Sequence, residues 1–259
     1  MINILAWNGR LGNNILQILR AIYLAENWGH EEVRLPHHPI LKMRSIIIAL
    51  TSAPAINDVS GIFFDLKNFD LNTPNTSELQ HIARKYKAQI FRDVLRELNI
   101  NLEQKSQSIV YAHIRGGDVF GWRVHPSYLQ PPLWYYNFII DRYDKCKLIK
   151  EDKKNPVVKK LKSNPKIEDI SSTELEDFTL LATSKNLIFS ASTFCYSAFL
   201  FNENVKTIYI PQYFYNELPS GDWPDNLDII IIELPDYIKN GTWRNSFFQR
   251  KKMVNYKAQ

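Results

Sequence analysis

The stretch Ser108-Ile-Val-Tyr-Ala-His-Ile-Arg-Gly-Gly-Asp118 is an apolar run that ends in an arginine, two glycines and an aspartate. The apolar part predicts a buried strand, which places Arg115 at the carboxyl end of a sheet, the edge where open α/β folds bind ligands. A guanidinium can grip phosphate with two hydrogen bonds, and Gly116 and Gly117 have no Cβ, so backbone and ligand can approach closely. The stretch therefore predicts a site for a phosphate-bearing ligand, expected to be a nucleotide diphosphate. The alternative is a tight turn with a solvated arginine.

Strand and helix patterns alternate on both sides of this stretch. Strands are expected at residues 2–7, 32–35, 108–113, 186–189, 207–210 and 227–233. Helices are expected at residues 15–23, 78–98, 133–143, 172–184 and 194–201. An asparagine of the Gly9–Asn14 turn could cap the first helix, and Ser171 or Ser172 could cap the fourth. The predicted fold class is α/β, with two Rossmann-like domains facing a cleft and a break near residues 100–106. The expected divisions are residues 1–105, residues 106–235 and a C-terminal helix or tail at 236–259.

Composition places the chain among ordinary globular proteins. It has 259 residues, of which 45% are hydrophobic and 23% charged. The two cysteines, Cys146 and Cys195, are too few for a disulfide framework or a cysteine-based zinc site, which favours a reducing compartment. No apolar run approaches the roughly 20 residues of a membrane span, and the N-terminus lacks the pattern of a signal peptide. We expect a cytoplasmic protein.

Nine lysines crowd residues 145–166 of a chain whose net charge is +5. Buried lysine is rare without a partner, so this segment predicts an exposed loop or short helix, inserted into the α/β pattern and outside the expected cleft. The segment either makes the protein more soluble or binds an anionic membrane. In the second case the protein would be peripheral to the inner membrane. No nucleic-acid-binding motif accompanies the lysines, so no nucleic-acid partner is expected.

Two other turns lie between an expected strand and an expected helix. One contains Gly12 and Asn13, and the other contains Ser190, Ser192 and Thr193. Backbone N–H groups and hydroxyls at a helix N-terminus can bind an anion. The alternatives are a plain strand–helix connector for the first turn and an ordinary serine or threonine cap for the second.

Three further residues bear on chemistry. Asp118 could take a proton from an attacking hydroxyl, although an aspartate so placed more often caps backbone N–H groups or orients the neighbouring arginine. The adjacent His37 and His38 either reach into a cleft or lie in a surface loop. No H-x-x-x-H pattern is present, so no metal site is expected.

Three motifs together resemble those of a known family. Gly9-Arg-Leu-Gly-Asn-Asn-Ile-Leu-Gln17 resembles the G-x-L-G-N-x-x-x-Q opening of bacterial alpha-1,2-fucosyltransferases. His113-Ile-Arg-Gly-Gly-Asp118 resembles the H-x-R-R-G-D motif of the alpha-1,2-, alpha-1,6- and protein O-fucosyltransferases, with Gly116 in place of the second arginine. Asp177 followed by Leu187-Ile-Phe-Ser-Ala-Ser-Thr-Phe194 resembles the third region, commonly written I-S-N-S-S-F. The matches occur in the order of the fucosyltransferase-like superfamily and span residues 9–200.

The resemblance implies a GT-B-like, inverting, metal-independent glycosyltransferase that needs no cofactor beyond its co-substrate. Its donor would be a nucleotide-diphosphate sugar, with GDP-fucose favoured, and its acceptor a glycan or lipid-linked glycan. Residues 106–235 would bind the donor, and the N-terminal half would present the acceptor. By resemblance, Arg115 clamps the diphosphate, and Asp118 is a candidate catalytic base. The remaining donor-binding residues would be Gly12, Asn13, His113, Asp177, Ser190, Ser192 and Thr193.

The exchange of the second arginine for Gly116 leaves the donor sugar open. The alternatives are a rhamnosyl, galactosyl or xylosyl transferase in capsule, lipopolysaccharide or viral glycan synthesis, and a non-catalytic glycan- or nucleotide-binding protein.

Overall fold

The computed structural model describes residues 1–49, 58–63, 73–92, 107–219, 223–224 and 226–258. These residues form two compact units. The first takes the described residues of Met1–Asn101, with Tyr196–Glu203 and Pro219–Pro224. The second takes those of Leu102–Cys195, Asn204–Leu218 and Asp225–Gln259. The expected break at 100–106 and the expected helical residues 93–98 lie outside the described residues.

The first unit contains a four-stranded mixed sheet in the order β3-β2-β1-β4. Its strands are β1 (Ile2–Ile4), β2 (Glu32–Arg34), β3 (Ser45–Ile47) and β4 (Val59–Gly61). Strands β2 and β4 run parallel to β1, whereas β3 runs antiparallel to β2. The first strand is shorter than the expected 2–7, and the second agrees with the expected 32–35 to within one residue.

Two helices belong to this unit, α1 (Leu11–Trp28) and α2 (Thr76–Ile90). Helix α1 buries an apolar face that includes Ile15, Ile18 and Ile22. The expected asparagine cap of α1 is wrong, because the helix begins at Leu11, its N-cap Arg10 makes no side-chain cap bond, and the asparagines fall inside the first turn.

The second unit is built on a six-stranded sheet in the order β10-β9-β8-β5-β6-β7, and every neighbouring pair runs parallel. The strands are β5 (Ile109–Ile114), β6 (Lys145–Lys150), β7 (Ile167–Asp169), β8 (Asn186–Ile188), β9 (Thr207–Pro211) and β10 (Asp228–Ile232). If β5 is counted as strand 1 and the sheet is read from β7 to β10, the order is 3-2-1-4-5-6, which is that of the Rossmann fold. The chain therefore changes direction across the sheet between β5 and β8. The expected α/β class is confirmed.

Helices follow the strands of this sheet as the alternating pattern predicts. They are α3 (Leu133–Ile140), α4 (Pro156–Leu161), α5 (Glu174–Thr183), α6 (Thr193–Leu200), α7 (Gln212–Tyr215) and the C-terminal α8 (Phe247–Asn255), and a 3₁₀ turn (Gly117–Phe120) follows β5. The expected cap of α5 is wrong by one or two residues. Thr173 is the N-cap, and its hydroxyl accepts from the Glu176 amide, while the Glu176 carboxylate accepts from the Thr173 amide in a capping box.

The lysine-rich segment is part of this sheet, so its interpretation as an inserted loop outside the α/β pattern is wrong. Lys145–Lys150 is the strand β6, paired with both β5 and β7, and it buries Cys146, Leu148 and Ile149. The lysines lie at the surface, where carboxylates of β7 neutralise four of them. Lys145 and Lys147 both reach Glu168 at 2.7 Å, and Lys150 and Lys162 pair with Asp169.

Among the described residues, none of the helices is both long and apolar enough to cross a membrane. Both cysteines, Cys146 and Cys195, are free and buried.

Candidate functional site

The carboxyl ends of β5 and β8 meet at the point where the chain changes direction across the second sheet. Because the strands are parallel, the loops that follow them leave from the same edge. Here Nδ1 of His113, the last residue but one of β5, lies 2.9 Å from the hydroxyl oxygen of Ser190, which follows β8. Both side chains are almost completely buried. The structure thus brings together two of the predicted site residues, 77 positions apart in the chain.

Arg115 leaves β5 directly beside this contact. Its guanidinium lies over the Tyr128 ring, 4.6 Å from the centroid, and its Nη2 donates to Asp118 at 3.3 Å. The side chain of Arg115 is 15% exposed and that of Asp118 54%. Asp118 therefore orients the arginine, which is the structural role considered as the alternative for this aspartate. The Tyr128 ring holds the guanidinium in place through a second contact.

The backbone amides of the two glycines do not form the open cradle that the sequence suggested. Gly116 N–H donates to Glu151 Oε2 at 3.1 Å, and Gly117 N–H donates to Asp152 Oδ2 at 3.1 Å. A Cβ on Gly116 would collide with the Asp152 carboxylate and a Cβ on Gly117 with the Glu151 carboxylate, and Gly117 also has φ of +60°. The glycines are thus required by the close approach of Glu151 and Asp152, which satisfy the two amides.

Sequence reasoning missed these two carboxylates as part of the site. They directly follow β6, the neighbour of β5, and so reach the same edge of the sheet. Recognising 145–150 as a strand would have placed them there. The adjacent Asn155 completes the support, since its side-chain amide donates to the Arg115 carbonyl at 3.0 Å while its Oδ1 caps α4 through the Val157 amide.

The turn after β8 is held by a buried glutamine. Gln130 Nε2 donates to the Ala191 carbonyl at 3.1 Å and to the Tyr128 carbonyl at 3.3 Å. This amide therefore ties the segment that carries the Tyr128 ring to the Ser190–Thr193 turn. In the same turn, Ser192 Oγ accepts from the Phe194 amide at 3.3 Å, and Thr193 is the first residue of α6. Ser192 thus makes the ordinary cap contact that was the alternative for it.

Asp177 lies apart from the His113–Ser190 contact, in the first turn of α5. Its carboxylate accepts from the Ser172 amide at 2.9 Å, and its side chain is buried. Burial is the main cause that raises the pKa of Asp177 to about 6, partly offset by the Ser172 hydrogen bond. A row of ring contacts connects its neighbourhood to the site: Phe178 to Phe194 at 5.7 Å and Phe194 to His113 at 5.3 Å.

Gly12 and Asn13 belong to the first unit, within the first turn of α1. The Gly12 carbonyl accepts from the Ser197 hydroxyl at 2.7 Å. The side chain of Asn13 packs so close to Gly9, which has φ of +79°, that a Cβ there would collide with it.

The buried polar side chains beside this turn have a structural role. Gln17 donates to the carbonyls of Ala6 and Ile62 and accepts from the Asn8 amide, so it fastens two loops of the first unit. His38 is buried rather than in a surface loop, and its Nε2 lies 3.1 Å from Asn14 Oδ1. Burial lowers the pKa of the His38 imidazole, with a smaller contribution from His37. Nδ1 of His38 accepts from the amides of Ile40 and Leu41.

In the part of the chain that the structure describes, no group of three or more histidine, cysteine, aspartate or glutamate side chains is arranged to hold a metal ion. The candidate site consists of one cation, Arg115, a buried histidine–serine pair and the carboxylates of Asp118, Glu151 and Asp152, at the carboxyl edge of the second sheet. No family model and no curated protein sequence matches this chain.

Proposed function

We propose that this chain is a glycosyltransferase that moves a sugar from a nucleotide-diphosphate donor to a glycan hydroxyl. The observation that carries the proposal is the position of Arg115 and the His113–Ser190 contact. They stand where a sheet of Rossmann order changes direction, which is where folds of this order bind nucleotides. The motif resemblance to the fucosyltransferase-like superfamily adds the sugar chemistry, with fucose as the favoured sugar.

Arg115 is suited to receive the diphosphate. Its ion pair with Asp118 is long, at 3.3 Å, and half of the Asp118 side chain is exposed, so a diphosphate can replace that carboxylate at little cost. Tyr128 keeps the guanidinium in place during the exchange. As the bond from the sugar to the diphosphate breaks, a fixed cation stabilises the negative charge that develops on the leaving group.

The other residues take supporting roles in this proposal. The N-terminus of α6 presents Thr193, beside Ser192, toward phosphate or sugar oxygens. Asp118, once released from Arg115, is the candidate base for the acceptor hydroxyl. In the GT-B arrangement we propose, the second unit binds the donor and the first unit presents the acceptor, with Gly12 and Asn13 as further candidates for donor binding. The reaction is expected to invert the anomeric centre and to need no metal.

A thermal-shift screen with GDP, UDP, dTDP and CMP tests the proposal and identifies the nucleotide. A ligand at 100 times its dissociation constant adds about 2.7 kcal/mol to the free energy of unfolding, which is a readily measured shift. Incubation with the sugar form of the stabilising nucleotide should then release that nucleotide in the presence of an acceptor glycan. Absence of any nucleotide effect would overturn the proposal. Binding without release of sugar would indicate the non-catalytic binding protein.

A further inference from the structure

Three aromatic side chains of the second unit are exposed to solvent. Trp122 is 85% exposed, Phe247 73% and Phe248 80%, the highest values for large apolar side chains among the described residues. Scattered exposed apolar residues are normal, but the largest rings are rarely left this open.

The segments that carry the three rings are fastened to one another. Asn245 Nδ2 donates to the Gly121 carbonyl at 2.8 Å, and Trp243 Nε1 donates to the Val119 carbonyl at 2.9 Å. Trp243 itself is fully buried and packs edge-on against Phe120, with ring centroids 5.7 Å apart. Trp122 therefore follows directly on a turn that is held against the start of α8, where Phe247 and Phe248 lie. We call Trp122, Phe247 and Phe248 the aromatic surface.

The rest of α8 explains why Phe247 and Phe248 cannot turn inward. The helix is seated through the buried Met253 and through Tyr256, which packs edge-on against Trp134 at 6.1 Å. Its N-terminus is fixed by a capping box on Ser246. The two phenylalanines occupy the first turn of a helix whose position is set at both ends, so their exposure is imposed by the fold.

Basic residues flank the aromatic surface in the chain. Between Tyr237 and Lys257 the chain has no acidic residue, and its basic residues there are Lys239, Arg244, Arg250, Lys251, Lys252 and Lys257. The Arg123 guanidinium lies over the Trp122 ring at 4.1 Å. Exposed aromatic rings beside lysine and arginine match the acyl boundary and the phosphates of an anionic bilayer.

We propose that the aromatic surface and the basic residues around it dock the protein on an anionic lipid membrane. The rings enter the headgroup–acyl boundary, and Arg123, Arg244 and Lys251 contact lipid phosphates. Trp122 of this surface lies seven residues after Arg115 in the chain. The inference does not depend on the proposed function, because vesicle binding involves no nucleotide.

Co-sedimentation with vesicles tests the proposal. The full chain should sediment with phosphatidylcholine vesicles that contain phosphatidylglycerol, bind more weakly to pure phosphatidylcholine, and dissociate as salt is raised. The variant Trp122→Ser/Phe247→Ser/Phe248→Ser should lose about a thousandfold in vesicle affinity if all three rings are fully buried in the bilayer, since each such ring is worth about tenfold or more. Arg244→Ala should lose about fivefold in affinity for the anionic vesicles, whereas Lys206→Ala, at the amino end of β9, should be unchanged.

Thermal melting checks that the variants fold, which is expected because the three rings make few contacts. Failure of the native chain to bind anionic vesicles at low salt would overturn the proposal, as would unchanged binding by the triple variant. Two other outcomes would also show that the membrane proposal is wrong, provided that neither the native chain nor the triple variant binds vesicles. If the native chain is a dimer and the triple variant is a monomer, the surface binds a second copy of the chain. If only the native chain binds a glycan column, the surface binds a glycan.

Discussion

The carboxylate of Asp152 accepts a hydrogen bond from the Gly117 amide at 3.1 Å and packs against the Cα of Gly116. Together with Glu151 on the Gly116 amide, it makes the loop after β5 depend on the loop after β6. The conformation that presents Arg115 is therefore set by two carboxylates from the loop after the neighbouring strand, and each of the two glycines is needed for a different reason.

Gly116→Ala should lower the free energy of unfolding by about 1–3 kcal/mol, the usual cost of forcing an extra methyl group into a packed site. The added Cβ collides with Asp152, so the double variant Gly116→Ala/Asp152→Ala should lose less than the sum of the two single changes. Urea denaturation of the four proteins gives this coupling. Simple additivity would show that Asp152 is not the obstacle.

Gly117→Ala should be destabilising even when Glu151 is also replaced by alanine, because its φ of +60° penalises any side chain. Gly241→Ala is the matched control, since Gly241 has φ of +80° and a Cβ there meets no atom within 4 Å. The loss of stability of Gly241→Ala therefore measures only the cost of placing a side chain at a positive φ. Full rescue of Gly117→Ala by Glu151→Ala would contradict the role given to φ.

Arg115→Lys should reduce the rate of sugar transfer by roughly 10²-fold or more, because lysine keeps the charge but loses the planar fork and the stacking on Tyr128. Arg142→Lys is the control. The Arg142 guanidinium also lies over a ring, that of Phe138 at 4.4 Å, but it follows α3 rather than β5. The control should keep its rate. A near-native transfer rate for Arg115→Lys would show that Arg115 is not part of the donor site.

Ser190→Ala should destabilise the fold by about 1–3 kcal/mol, since it leaves a buried ring nitrogen of His113 without this hydrogen bond. A double-mutant cycle with His113→Ala should give a coupling energy of about 0.5–3 kcal/mol. Ser163→Ala, an exposed serine that donates to the Lys160 carbonyl, should change stability by less than about 0.5 kcal/mol. A coupling energy near zero would show that the contact between β5 and β8 contributes nothing.

Asp177→Asn should gain stability relative to the native chain as pH rises from about 4 to about 6. Below this range the carboxyl is protonated in both states. Within it the unfolded chain loses the proton first, because burial raises the native pKa to about 6, so the native protein loses stability that the asparagine variant keeps. The difference should reach at most about 3 kcal/mol near pH 7. Unfolding curves of both proteins at several pH values measure it, and a difference that does not vary with pH would contradict the raised pKa.

The alternation of apolar segments determined the α/β class and the identity of most strands and helices, because each element buries its own side chains at the period of its own geometry. It also placed Arg115 correctly at the carboxyl end of β5. Sequence reasoning failed at 145–166, where the number of lysines hid the buried Cys146, Leu148 and Ile149, and where carboxylates of β7 neutralise the charge.

Only the tertiary structure decided the strand order, and with it the partners of the loop. Neighbouring strands of a parallel sheet are joined by long crossover connections, so the local periodicity of the sequence does not indicate which strands pair. That pairing brings Glu151 and Asp152 to the two glycine amides, and Ser190 to His113 from 77 positions away. The sequence by itself determined which residue types the site contains. Packing between distant segments decided which of them touch.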